Sequence, residues 1–170
     1  MLKLNHRKYM KEDTNMKDQI TYKLLNNNHL DLLVQLRIKD LNMYSNKKIS
    51  QETIENIKNF YSHKIENGEC HTLVGYHLNK IVATATIYYY HILPSNENMI
   101  GKVGQITNVW VEKSYRHQGI GRYMIHYLIS HYQRDVGMIC LNSSNEGMDM
   151  YVKLGFNKKD NYLVYYPNNV

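Results

Sequence analysis

A basic, glycine-punctuated turn constrains this chain most: Tyr115-Arg116-His117-Gln118-Gly119-Ile120-Gly121-Arg122. It follows an apolar, strand-like run, Ile106-Thr107-Asn108-Val109-Trp110-Val111. It opens a helix-like run from Ile120 to Tyr132, with apolar residues at Ile125, Leu128, Ile129 and Tyr132. A strand, a glycine turn and a helix start make an anion site. The first turn of a helix leaves N–H groups without partners and carries a partial positive charge. Glycines let backbone approach a bulky anion closely. Arg116 and Arg122 add fixed positive charge, and a guanidinium grips phosphate oxygens in pairs. The Gly-Lys-Ser/Thr ending of a Walker loop is missing. So are the third glycine and the distal acid of a dinucleotide fingerprint.

What remains is Arg-x-x-Gly-x-Gly. Downstream stands a second patterned segment, Ser143-Ser144-Asn145-Glu146-Gly147-Met148-Asp149-Met150-Tyr151-Val152-Lys153-Leu154-Gly155-Phe156. There a strand ends in polar residues, a short helix follows, and Tyr-x-x-x-Gly-Phe closes it, with Gly155 placed as a left-handed helix stop. These two segments, in this order and spacing, resemble the two signatures of the GNAT superfamily of N-acetyltransferases. The resemblance runs from about Ile20 to Tyr166. It implies an α/β fold with a mixed central sheet, helices on both faces and a splayed parallel strand pair that binds CoA.

The element order agrees. A strand runs from Ile20 to Leu25. A helix follows with Leu30, Leu33, Val34, Arg37, Ile38 and Leu41 at helical spacing. Ser50 is placed to cap a second helix with Ile54, Ile57, Tyr61 and Ile65 on one face, ended by Asn67-Gly68. Cys70–Leu78 and Ile81–His91 are two strands joined at Asn79-Lys80. Pro94–Asn98 is a loop, Val103–Val111 a strand, Met138–Asn142 a short buried parallel strand, and Asn161–Tyr166 a terminal strand begun at Phe156.

Bulk properties fit one compact domain. With 170 residues, 43% apolar and 21% charged, there is room for one core. Residues 1–18 are expected as a flexible N-terminal extension and residues 19–170 as a single domain, with Met16 an alternative start. The first 17 residues are charged throughout and lack the apolar core of a signal peptide, so a cytoplasmic location is expected. The two cysteines, Cys70 and Cys140, have no metal or redox spacing and are expected as buried free thiols. Nine histidines are scattered without a ligand pattern, so no metal is expected. The net charge of +6 is spread along the chain, and an anionic cofactor explains part of it without nucleic acid. Neither nucleic acid nor a membrane is expected as a partner, and a homodimer stays open.

The resemblance implies acetyl-CoA as co-substrate, with acetyl transfer to a primary amine of a small molecule or peptide by direct attack. The alternative is a non-catalytic acyl-CoA-binding or regulatory module. It further implies that backbone at Val109, Trp110 and Val111 meets the pantetheine arm, and that a backbone N–H near Val109 or Trp110 stabilises the oxyanion. The amides of His117, Gln118, Gly119, Ile120, Gly121 and Arg122 are expected to hold the pyrophosphate, with Arg116 adding charge. Asn142 and Ser144 bind at the strand end, although Ser144 is equally placed to cap the next helix. Tyr151 matches the family's tyrosine beside the CoA sulfur and is the candidate general acid; its alternative is packing in an amphipathic helix. Some family members carry a glutamate base on the strand before the loop. Here Gln105 stands there and cannot take up a proton. Glu112, with His91 and Asp149 behind it, is the candidate base. The acceptor pocket falls to the first two helices, Leu41–Lys48, and Tyr88, Tyr89 and Tyr90.

Overall fold

The computed structural model describes residues 16–44, 47–134, 136–159 and 163–167. Five strands form one sheet in chain order: β1 (Thr21–Leu25), β2 (Cys70–His77), β3 (Lys80–His91), β4 (Lys102–Val111) and β5 (Met138–Leu141). The first four are antiparallel to their neighbours, and β5 runs parallel to β4. Helices α1 (Leu30–Tyr44) and α2 (Gln51–Glu66) cover one face. Helix α3 (Ile120–Tyr132) and the short α4 (Met148–Lys153) sit on the other. This is the mixed α/β sheet with helices on both faces that the motifs predict. No helix of the described residues is long and apolar enough to cross a membrane.

Alternation along the strands builds two cores. Leu73, Ala83, Ala85, Ile87 and Ile106 face Ile120, Met124, Ile125 and Leu128 of α3. Leu25, Cys70 and Val74 face Leu33 and Leu36 of α1 and Tyr61 of α2. Successive side chains of a strand point to opposite faces, so β2 sends Leu73 to one core and Val74 to the other. Cys70 is buried and Cys140 half-buried, and neither forms a disulfide.

Local chemistry sets the ends of the elements. The Ser50 hydroxyl accepts the Thr53 N–H at 3.0 Å and starts α2 where expected. Gly155 ends α4 with φ +96°. Phe156 N–H returns to the Tyr151 carbonyl at 3.1 Å and Gly155 N–H to that of Val152 at 3.0 Å, the paired bonds of a Schellman stop.

Three expectations need correction. The β2–β3 turn is one residue earlier than Asn79-Lys80: His77 pairs with Lys80, and Leu78 and Asn79 both take positive φ. A two-residue hairpin that follows strand twist demands two left-handed residues, and this one accepts an exposed leucine as the first. The helix α1 stripe turns further than its leucines suggest, burying Leu36 and Asp40 with Leu33 and Val34. The terminal strand is absent from the described part of its span: Phe156–Lys159 and Leu163–Tyr166 are not in strands, while Asn161 and Tyr162 lie outside the described residues. Alternating apolar residues make a strand only where a sheet edge and a core receive them, and Leu163 and Tyr165 are 92% and 86% exposed. Of the predicted extension, residues 1–15 lie outside the described residues. Met16–Gln19 form a 3-10 turn, with Met16 packed against the α3-side core.

Candidate functional site

The parallel ladder between β4 and β5 is short. Val103 pairs with Met138 and the register ends at Ile106 opposite Leu141. Beyond that point β4 continues through Thr107–Val111 while β5 gives way to a loop. The edge of β4 that faced β5 therefore has no ladder partner from Thr107 onward. Its backbone groups border a cleft of about 340 Å³, lined by Gln105, Thr107, Val109, Asn142, Ser144 and Tyr151 among others.

A bulge in β4 helps to open the wedge. Thr84 pairs with Trp110 but Thr86 pairs with Thr107, so Asn108 and Val109 together oppose Ala85. Asn108 takes φ +53°, a conformation asparagine tolerates better than other non-glycine residues. Its carbonyl accepts the Thr84 hydroxyl at 2.7 Å. Its side chain is buried at the cleft wall, yet neither amide atom has a hydrogen-bond partner. An unpaired buried amide is costly, so this one is left to find a polar partner from the cleft. Sequence reasoning missed Asn108; the signal was an asparagine inside an apolar strand.

The basic glycine turn follows β4 directly. Glu112 accepts the Lys113 N–H at 3.2 Å and opens a 3-10 turn, Lys113–Tyr115. The Tyr115 hydroxyl bonds His77 at 2.9 Å and pins this turn to the β2–β3 hairpin. His117 and Gly119 then take φ +60° and +79°, and Gly119 is the N-cap of α3. With no side chain capping the helix, the amides of Ile120, Gly121 and Arg122 point out of the first turn without intrahelical acceptors. A Cβ on Gly121 would lie 3.5 Å from Val111 and 3.6 Å from Met150, so the loop, the end of β4 and α4 meet at this residue.

The expected site residues separate into those brought together and those not. Val109, Asn142, Ser144 and Tyr151 line the cleft. Ser144 also accepts the Gly147 N–H at 3.3 Å, so it turns the chain toward α4. The Trp110 ring is buried away from the cleft, under the Lys39 ammonium at 3.4 Å from its centroid, which leaves only its backbone for the site. Arg116 is turned from the loop amides: its Nε donates to the Val111 carbonyl at 3.1 Å and its Nη1 to Glu146 at 3.3 Å, tying the loop after β4 to the loop after β5. Glu112 spends its carboxylate on the cap past the end of β4 and is not among the cleft-lining residues. His91, at the far end of β3, and Asp149 are exposed and likewise outside the lining.

Two groups carry the cleft's titration chemistry. Tyr151 is buried and packs edge-on against Phe156 at 5.8 Å. Burial, with Tyr44 nearby, pushes its hydroxyl up to about 12, so it is a protonated donor at neutral pH. Asp40 is the carboxylate of the lining. It is paired with Arg37 at 2.6 Å, and burial raises its pKa against the lowering effect of that arginine. Its sequence signal was position: an acid seven residues after Leu33 and four after Leu36, on the buried stripe of α1. Gln105 holds its place by accepting the Cys140 thiol at 3.2 Å and donating to the Ile106 carbonyl at 3.3 Å.

Comparison with known proteins agrees with this geometry. Residues 35–156 match the Acetyltransferase (GNAT) family. A predicted acetyltransferase from Clostridium acetobutylicum, solved with acetyl-CoA, superposes with a TM-score of 0.77 at 26% identity, over 86% of this chain and 96% of that one. A glucosamine-6-phosphate N-acetyltransferase from Arabidopsis thaliana shares the fold at TM-score 0.63 and 18% identity, over 87% and 99% of the chains. An aminoglycoside acetyltransferase from an uncultured soil metagenomic sample, in complex with sisomicin, does so at 0.64 and 16%, over 89% and 97%. The chain therefore belongs to the GNAT acetyltransferase family, and it is an acyltransferase.

Proposed function

We propose that this protein transfers the acetyl group of acetyl-CoA to a primary amine of a small molecule or peptide by direct attack, with both substrates bound at once. The observation that carries the proposal is the wedge between β4 and β5, which leaves the Thr107–Val111 edge unpaired beside a polar-walled cleft. A pantetheine arm carries amides that pair with such an edge, as a missing strand would. Val109, Trp110 and Val111 offer that backbone. The amides from His117 to Arg122 offer the pyrophosphate a cradle at a helix start. Arg122 adds charge there, and Arg116 reaches it by exchanging Glu146 for phosphate. The Clostridium acetobutylicum structure, with acetyl-CoA bound, supports the choice of donor.

The chemistry then needs three things. The amine is juxtaposed with the thioester carbonyl. A backbone N–H at the bulge, near Val109 or Trp110, stabilises the oxyanion. Tyr151 gives its proton to the departing sulfur. Asn108 presents its unpaired amide at the same wall. Glu112 does not suit the base role, since its carboxylate caps the turn after β4.

Two measurements test the proposal together. Acetyl-CoA at saturating concentration raises Tm, because a ligand that binds only the folded state stabilises it by mass action. A panel of primary amines incubated with protein and acetyl-CoA releases free thiol. An unmoved Tm removes the donor, and thiol release from no amine removes the transferase activity.

A further inference from the structure

Two openings meet at Thr107. One is the cleft between β4 and β5, whose one charged lining side chain among the described residues is Asp40. The other, about 330 Å³, lies between α2 and the sheet and is walled by Ile57, Phe60 and Tyr88; its one charged lining side chain among the described residues is Arg37. Thr107 lines both, so the second opening is next to the place where a thioester would lie. Arg37 and Asp40 join across the boundary at 2.6 Å, with side chains 30% and 10% exposed.

Resting on the acetyl transfer proposed above, we propose that the acceptor is a free amino acid with an apolar or aromatic side chain. Its carboxylate sits on Arg37, its amine at Asp40, and its side chain in the cavity against Phe60 and Tyr88. Three observations converge on this class. The amine must enter the cleft to react, and the cleft offers one carboxylate to receive an ammonium. The cavity next to it offers one guanidinium, whose fork matches a carboxylate. Within this protein Arg37 gives one donor to Asp40, and a guanidinium has five. In an amino acid one carbon separates ammonium from carboxylate, so the zwitterion lies head-to-tail along a touching acid and base. Amines whose anion lies several bonds away do not match that spacing. A polycation would set its charges against Arg37 with no acid in the cavity to receive them. The Phe60 and Tyr88 rings meet edge to face at 5.1 Å and present apolar surface.

The same placement supplies the missing base. Asp40 takes the ammonium proton. The freed nitrogen forms a C–N bond to the acetyl carbon, the C–S bond breaks, the sulfur leaves with the proton of Tyr151, the second nitrogen proton passes to the tyrosinate oxygen, and Asp40 releases its proton to solvent. The products are an N-acetyl amino acid and CoA. Burial, which raises Asp40 against the pull of Arg37, makes it a better proton acceptor than an exposed aspartate.

Matched pairs test the proposal: phenylalanine against phenethylamine, tyrosine against tyramine, leucine against isoamylamine. The amino acid of at least one pair exceeds its decarboxylated amine in kcat/KM by about tenfold or more, the low end of a charge-assisted contact. Arg37→Met collapses that ratio, while the Tm rise with acetyl-CoA verifies that the variant is folded. Should Arg37→Met fail to fold, Arg37→Lys replaces it, and the ratio falls because an ammonium lacks the fork. Equal rates within every pair, a preference for the amine, better use of an amino-sugar phosphate, or a ratio that survives both substitutions overturns the acceptor class and leaves acetyl transfer standing. Thiol release with no amine of any kind overturns both.

Discussion

A tyrosine can acidify a leaving group only if it keeps its proton until the sulfur needs it. Tyr151 meets that condition because it is buried, which holds its hydroxyl near 12. Tyr151→Phe removes one hydroxyl and little volume, and the ring can still pack on Phe156. If Tyr151 protonates the thiolate, kcat falls by roughly ten- to a thousandfold, one general-acid contribution. The Michaelis constant for acetyl-CoA stays close to wild type, since the phosphate contacts lie on another loop. A packing role predicts the reverse: a lower Tm with normal turnover in the folded fraction. Melting curves beside the kinetics separate the two, and a stable Tyr151→Phe enzyme at full speed on a verified amine strikes the residue from the mechanism. The two groups that sequence reasoning missed, Asp40 and Asn108, failed for a common reason. Each is a polar residue inside an apolar pattern, and pattern reading treats such residues as exposed or as turn formers. Only the packing of α1 on β4 and the β4 bulge opposite Ala85 show that both border one cleft.

At the scale of elements, the proposed phosphate loop depends on two glycines that differ. Gly119 is left-handed at φ +79°, where a β-branched residue is strained whatever the space around it. Gly121 is inside the first helical turn, and its added Cβ would meet only ordinary contacts with Val111 and Met150. The two valine substitutions therefore part company. Gly121→Val folds, with Tm within a few degrees of wild type, but its side chain crowds the amides that would meet phosphate, so the Tm rise with acetyl-CoA disappears. Gly119→Val loses stability as well, by about 1 kcal/mol or more for the forced left-handed valine, read as a lower Tm before any ligand is added. A Gly121→Val protein that binds acetyl-CoA normally would move the phosphate site off this loop. The strand–loop–helix unit was legible from sequence because its signals are local: β-branched residues, then glycine, then helical spacing from Ile120 to Tyr132. Its boundaries agree with the observed helix residue for residue. The splay of β5 was not local. It was implied by family resemblance, and its extent, ending at Leu141, follows from where the ladder to β4 runs out. Likewise, the strand expected over Asn161–Tyr166 rested on alternation alone, and alternation does not say whether a partner edge is waiting.

For the whole molecule, the tyrosines tie both cores to one pH limit. Tyr22 on β1, Tyr89 on β3 and Tyr151 on α4 belong to or pack against the α3-side core, and burial is the first cause that pushes each up to about 12. Tyr61 of α2 fills the opposite core and is raised by burial too, as are Tyr88 and Tyr132. Every one of these shifts has the same sign: the folded state holds the phenolic proton more tightly than the unfolded chain, whose tyrosines titrate near the ordinary value of 10.0. The stability they contribute is thus fully present below about pH 10 and is lost as pH rises toward about 12, where the unfolded chain sheds protons that the fold retains. Melting curves should change little with tyrosine ionisation from neutrality to about pH 10, then fall steeply and cooperatively. Tyrosinate absorbance from Tyr22, Tyr89 and Tyr151 should appear only as pH nears about 12, together with loss of the helical signal, because the proton leaves only when the cores open. A single tyrosinate transition near pH 10 with the fold intact would show that these rings do not hold the two faces of the sheet as described.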